Sequence, residues 1–176
     1  MQVPLLILDR PNPNGFYVDG PVLDTTLRSF VGMQPIPVVY GMTAGEYARM
    51  LNGEHWLHSS HTCNLQVIPC TGYTHATRYE LPVPPSPNLK SILSVYAYPS
   101  LCFFEGTPVS VGRGTDFPFE VFGHPSFQSM TDTFTPHAKP GAMHPPLLQQ
   151  RCYGKHLQET DLFSIKNRGQ LNLSWL

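Results

Sequence analysis

Val3-Pro4-Leu5-Leu6-Ile7-Leu8 is a continuous apolar run that stops at Asp9-Arg10-Pro11. A run of this length, bounded by turn residues, fits a strand buried on both faces, as in a parallel sheet. Pro4 belongs near the strand start, where a missing N–H is tolerated. In open α/β sheets, ligands sit outside the carboxyl ends of strands. Asp9, Arg10 and Asn12 are therefore positional candidates for a site. The stretch from Arg10 to Gly20, rich in Asn, Gly and Pro, reads as turns.

The next elements extend the pattern. Pro35-Ile36-Pro37-Val38-Val39-Tyr40 reads as a second short strand. Thr43 and Glu46 have the spacing of a capping box, so a helix is expected to start there. Ala44, Tyr47, Ala48 and Leu51 fall on one face, and Asn52-Gly53 is a natural stop. Leu65-Gln66-Val67-Ile68 is a third strand. Strand, helix, strand in this order implies a parallel crossover unit.

Leu81-Pro82-Val83-Pro84-Pro85-Ser86-Pro87 is held extended, because each proline fixes its own φ and restricts its predecessor. The boundary between two domains is expected here, dividing the chain into 1–83 and 84–176. Asn88 is placed to cap a helix through Leu89, Ile92, Leu93 and Val95. Pro99-Ser100 opens another helical segment leading to Glu105. Phe117 to Phe122 alternates as a half-buried strand does. Residues 124–146 read as irregular. Leu171 to Leu176 resembles the first turn of an amphipathic helix that the chain cuts short.

Composition narrows the function classes. Charged residues are 13% of 176, against about 25% in typical soluble domains, and net charge is −1. With no Lys/Arg run, nothing points to nucleic acid. No apolar stretch approaches the ~20 residues of a membrane span, and the N terminus has no signal-peptide pattern. Cys63, Cys70, Cys102 and Cys152 lack CxxC spacing and read as free thiols, with a disulfide as the alternative. His55, His58, His61 and Cys63 cluster in sequence, but Ser and Thr lie among them and the pattern does not recur. They read as a solvated connection, with no metal site expected.

Against this sparse charge, Glu105 and Arg113 stand out. Glu105 ends the apolar run Leu101 to Phe104, and Arg113 lies between Gly112 and Gly114. A carboxylate beside aromatic walls suits acid–base work; the same spacing also suits a surface ion pair.

A family resemblance rests on motifs in fixed order. Leu8-Asp9-Arg10-Pro11-Asn12-Pro13, Gly20-Pro21, Phe30-Val31-Gly32, Pro35-Ile36-Pro37-Val38 and Gly41-Met42-Thr43 come first. Pro84-Pro85-Ser86-Pro87-Asn88, Glu105-Gly106-Thr107, Gly112-Arg113-Gly114-Thr115 and Pro118-Phe119-Glu120 follow. Together they resemble the NamZ family of exo-β-N-acetylmuramidases, from about Leu5 to Leu176. The resemblance implies an α/β fold, with a partial Rossmann-like parallel sheet unit followed by part of a smaller α+β domain. It also implies a piece of a longer enzyme, lacking an N-terminal section and C-terminal helices. A glutamate implicated in the family's catalysis belongs to that N-terminal section and has no counterpart here.

The implied activity is removal of terminal N-acetylmuramic acid from peptidoglycan fragments, without a cofactor. Such hydrolysis needs a proton donor and a second carboxylate. Glu105 and Asp19 are the carboxylates of choice, with Asp9 an organiser of the strand end. Arg10 or Arg113 suits the lactyl carboxylate of the sugar, since guanidinium grips a carboxylate with two bonds. Asn12 and Asn14 suit its acetamido and hydroxyl groups. The expected partners are a peptidoglycan-derived saccharide and the N-terminal section of the same enzyme. An intact member is expected in the periplasm or outside the cell.

Two departures touch the candidates. Many relatives carry Val-Glu-Gly-Pro where this chain has Val18-Asp19-Gly20-Pro21, which retracts the carboxylate by about one methylene. They carry Arg-His-Gly where it has Val39-Tyr40-Gly41, which removes an imidazole. The competing expectations are a non-catalytic carbohydrate-binding remnant, a decayed gene product and, from the histidines, a metal hydrolase.

Overall fold

The computed structural model describes residues 3–57, 59 and 61–176. The chain is a mixed α/β protein that divides into two compact units, Met1–Tyr79 and Glu80–Leu176.

In the first unit, β1 (Leu5–Leu8) pairs in parallel with β4 (Leu65–Ile68), in the register Leu5 to Leu65 through Leu8 to Ile68. Between them come β2 (Asp19–Val22), β3 (Pro37–Val39) and α1 (Ala44–Gly53). The crossover expectation is corrected in its partners. β3 does not join the parallel pair; it pairs antiparallel with β2 through an irregular register between Asp19 and Val22. Asp19 and Gly20, read from sequence as turn, lie in that strand. The burial of β1 is corrected too. Leu6 and Leu8 are 56% and 71% exposed, because β1 has a single strand neighbour among the described residues.

The α1 start follows from local chemistry. Thr43 Oγ1 accepts from the Glu46 N–H at 3.2 Å, and Glu46 Oε2 accepts from the Thr43 N–H at 2.8 Å, closing the capping box. The helix seats differently from its apolar pattern. Gly45 is its buried residue and Ala44 is exposed. A Cβ at Gly45 would collide with Val67 Cγ1 and the Asp9 carboxylate, so only glycine lets the first turn come this close to the strands.

The second unit holds most of the core. Phe119, Leu101, Leu162, Ile165, Val121 and Cys152 are fully buried, whereas Tyr17 and Val39 are the buried hydrophobics described in the first unit. Its helix α2 (Ile92–Leu101) starts three residues later than Asn88 predicts. Ser91 is the cap, closing a box with Ser94, while Asn88 donates its Nδ2 to the Gly141 carbonyl at 3.0 Å. Pro99 lies inside α2 instead of opening a new segment, and a 3-10 turn, Cys102–Gly106, follows.

The sheet of this unit is antiparallel, with order β5 (Val121–His124), β7 (Cys152–His156), β6 (Asp132–Phe134). The strand expected over Phe117 to Phe122 is shifted: residues 117–120 turn, with Phe119 at φ 58°, and β5 starts at Val121. A 3-10 turn, Leu173–Trp175, stands where a helical start was expected. No helix among the described residues is long and apolar enough to cross a membrane.

Candidate functional site

The carboxyl end of β1 meets the amino end of α1 at Asp9. Its Oδ1 accepts from the N–H groups of Gly45 and Arg10, both at 2.9 Å, and its Oδ2 accepts from Thr43 Oγ1 at 2.5 Å. Burial pushes this carboxyl up. The Thr43, Gly45 and Arg10 bonds and the charge of Arg49 outweigh that, and Asp9 titrates below the usual carboxylate value. The Asp9 carbonyl accepts from the Cys70 thiol at 3.0 Å. Asp9 thus ties strand, helix and the 70–73 segment together.

The 12–18 loop is fixed by short-range polar bonds. Asn12 donates its Nδ2 to the Met42 carbonyl at 2.9 Å and accepts from the Asn14 N–H on Oδ1 at 2.9 Å. The Tyr73 hydroxyl donates to the Asn12 carbonyl at 3.1 Å. Gly15 is buried against that hydroxyl, which occupies the space a Cβ would need. Arg10 is exposed at the strand end, and Asp19 is half-buried on β2 directly after the loop.

A cavity of about 340 Å³ opens beside this loop, lined by Gly15, Phe16, Tyr17, Val18, Tyr40, Gly41, Met42 and His75. Its walls are aromatic and apolar with one imidazole, the composition of a small-molecule site. The Arg78 guanidinium lies over Phe16, 3.4 Å from the ring centroid. Two polar groups here escape the sequence reading as site residues. His75 places Nδ1 2.9 Å from the Gly15 carbonyl and Nε2 3.0 Å from Glu46 Oε1. The Gly15 carbonyl and the Glu46 carboxylate raise its pKa above 6.5. Burial raises that of Glu46, but the Thr43 N–H and His75 prevail and it falls below 4.5. Glu46 was legible as a cap. His75 lies in an irregular segment with no periodicity to mark it.

Glu105 and Arg113 form an ion pair in the second unit, with both side chains about a third exposed. Arg113 lies over Phe119, 4.9 Å from the centroid, and Tyr98 packs edge-on against the same ring. Desolvation, with the Glu105 charge behind it, pushes the Tyr98 hydroxyl up. Of the histidine cluster, His58 lies outside the described residues. Among those described, no three His, Cys, Asp or Glu side chains gather as a metal site requires.

The N-terminal model of exo-beta-N-acetylmuramidase NamZ matches residues 1–93, and the C-terminal model matches 96–175. The peptidoglycan beta-N-acetylmuramidase NamZ of Bacillus subtilis is 36% identical over 90% of this chain and 41% of its own length. The crystal structure of a DUF1343 family protein from Bacteroides fragilis is 55% identical with a TM-score of 0.92, over 98% of this chain and 48% of that one. A second DUF1343 family protein of the same organism gives 26% and 0.70, over 88% and 44%. The chain spans less than half the length of each of these relatives. Its two ordered matches, which leave only residues 94–95 and 176 outside them, place the chain in the NamZ family.

Proposed function

We propose that this chain is the part of a glycosidase that binds and positions a terminal N-acetylmuramic acid for release from peptidoglycan fragments. The carrying observation is the match of both NamZ models in order along the chain. The aromatic cavity beside the carboxyl end of β1 supports a sugar-sized ligand in the first unit. No cofactor is required, since a proton donor and a second carboxylate suffice for glycoside hydrolysis.

Glu105 and Asp19, one in each unit, are this chain's candidate carboxylates for that chemistry in the longer protein. Arg113 orients Glu105 by holding one of its oxygens. Asp9 acts as organiser, a role supported by the three bonds its carboxylate already accepts. Asn12 shapes the loop through its bonds to Met42 and Asn14, and Asn14 is the amide assigned to the sugar. Arg10, exposed at the strand end, suits the lactyl carboxylate better than Arg113, which already faces Glu105. The section that the relatives carry outside the matched region is the proposed protein partner. It would cover the exposed apolar residues of β1 and bring the remaining catalytic group.

The test is hydrolysis of an N-acetylmuramyl-terminated disaccharide by the chain alone and by the chain joined to the remaining section of a relative. Release of N-acetylmuramic acid is expected from the joined protein and little or none from the chain alone. A joined, folded protein that releases none would overturn the reading. Full turnover by the chain alone would overturn the need for the partner section.

A further inference from the structure

His75 has both ring nitrogens against groups that only accept: the Gly15 carbonyl at Nδ1 and the Glu46 carboxylate at Nε2. A neutral imidazole carries one N–H and satisfies one of them; the imidazolium satisfies both. Each acceptor is itself anchored. Glu46 holds the Thr43 N–H with its other oxygen in the capping box. Gly15 donates its N–H to the Asn12 carbonyl at 2.9 Å and packs under the Tyr73 hydroxyl. The ring therefore joins two fixed points, the 12–18 loop and the first turn of α1. That loop forms one wall of the cavity, residues 40–42 form another, and His75 lines it as well.

We propose that His75 is a positioning residue that, as imidazolium, clamps the 15–18 wall onto α1, so that the cavity is formed when His75 is protonated and loosens when it is not.

The groups facing the ring fix the direction. Glu46 approaches from α1, and the Tyr73 ring lies 6.2 Å away from within the same segment. The Asp9 carboxylate stands behind Thr43. The Gly15 and Gly41 carbonyls add uncharged acceptors. The Gly15 carbonyl, the Glu46 carboxylate and the Gly41 carbonyl favour the protonated ring and together outweigh its desolvation. The folded pKa of His75 is raised, so the clamp is complete below about 6.5 and is lost as pH rises through the raised value. Glu46 titrates low, so its half of the clamp is present above its ordinary 4.5 and is lost only as pH falls through its lowered value. The clamp is closed between these two limits.

The proposal rests on the saccharide reading of the cavity only for its ligand, and the experiment separates the two. The whole chain is titrated with the His75 ring followed by NMR, with amide exchange of residues 15–18 recorded at each pH and corrected for intrinsic rates. The disaccharide is titrated in by calorimetry on both sides of the midpoint. His75 is expected to titrate above 6.5, with protection of residues 15–18 falling at the same midpoint. Disaccharide affinity is expected to fall about tenfold one unit above it, where about a tenth of the clamps remain closed. Glu46→Gln should move the ring and loop midpoints down together, and His75→Gln should leave the corrected loop exchange without a midpoint. A ring that titrates at or below 6.5, loop exchange indifferent to the ring, or affinity equal on both sides would overturn the clamp. A coupled ring and loop in a chain that takes no disaccharide at any pH would overturn the saccharide reading and leave the clamp standing.

Discussion

Arg113 places Nε and Nη2 on one and the same oxygen of Glu105, at 3.1 and 2.8 Å. This is an end-on grip, with the guanidinium resting on Phe119. It pins one oxygen of the carboxylate while leaving Oε2 outside the grip. Stability gains little from it, since pairs this exposed contribute about 0–1 kcal/mol. Orientation of a reacting group is the better use of such a contact.

Glu105→Gln therefore separates the two roles. Glutamine keeps the shape and one acceptor oxygen but removes the charge. Unfolding in urea should shift by less than about 1 kcal/mol. Hydrolysis of the disaccharide by the joined protein should drop at least about a hundredfold, the scale of a lost acid–base group. Turnover at the parent rate would take Glu105 out of the chemistry.

Asp9→Asn tests the strand-end organiser. The amide replaces one acceptor oxygen with an NH₂ group, which then faces the Thr43 hydroxyl or the N–H groups of Gly45 and Arg10. Leaving such groups unpaired costs about 1–3 kcal/mol. The pH dependence has a definite sign. The folded pKa of Asp9 lies below 3.8, so its contribution is present above that value and is lost as pH falls through the folded pKa. The variant should lose stability at neutral pH and approach the parent below about pH 3.8. Denaturation midpoints across pH 3 to 7 check this; a constant difference across that range would deny the carboxylate its role.

Local chemistry was legible in the sequence at α1, and strand pairing was not. The Thr43–Glu46 cap is decided by residues three apart, and α1 starts where they say. The apolar runs at β1 and β4 also mark their own strands. Which strands meet is decided by residues far apart in the chain, so β3 was assigned to the wrong partner. Burial failed for the same reason, since a run such as Leu5 to Leu8 has no means of stating how many neighbours it has. β7 was missed because Cys-Tyr-Gly-Lys-His carries no apolar alternation, although Gly154 packs against the Phe122 carbonyl. At the site, the proximity of Glu105 and Arg113 was readable because one short turn connects them. His75 reaches Gly15 and Glu46 across 60 and 29 residues, and nothing in its neighbours announces that.

The exposed residues of β1 predict self-association. Val3, Leu5, Leu6 and Leu8 are all exposed, next to a strand edge left unpaired among the described residues, and such edges recruit other chains. Leu6→Lys with Leu8→Lys should lower dye binding to apolar surface and reduce association in sedimentation, with each surface change altering stability by about 0.5 kcal/mol or less. The same pair should weaken joining to the partner section supplied in trans. Undiminished binding of that section would place its docking face elsewhere.

Gly45→Ala weighs helix propensity against packing. Alanine is favoured over glycine within a helix by about 0.5–1 kcal/mol, so an unconstrained first turn would be stabilised. Here the new Cβ meets Val67 Cγ1 and the Asp9 carboxylate together. Neither can withdraw cheaply. Val67 is held in the β4 ladder opposite Ile7, and Asp9 is held by its three bonds. Overpacking of this kind costs about 1–3 kcal/mol, so the clash should win and the variant should be less stable. Displacing Asp9 would also release Thr43 from its Oδ2, so the amide protection of the first turn of α1 should fall with global stability. Equal or greater stability in urea would mean that α1 can lift off the sheet without cost, and that its first turn does not fix the carboxyl end of β1.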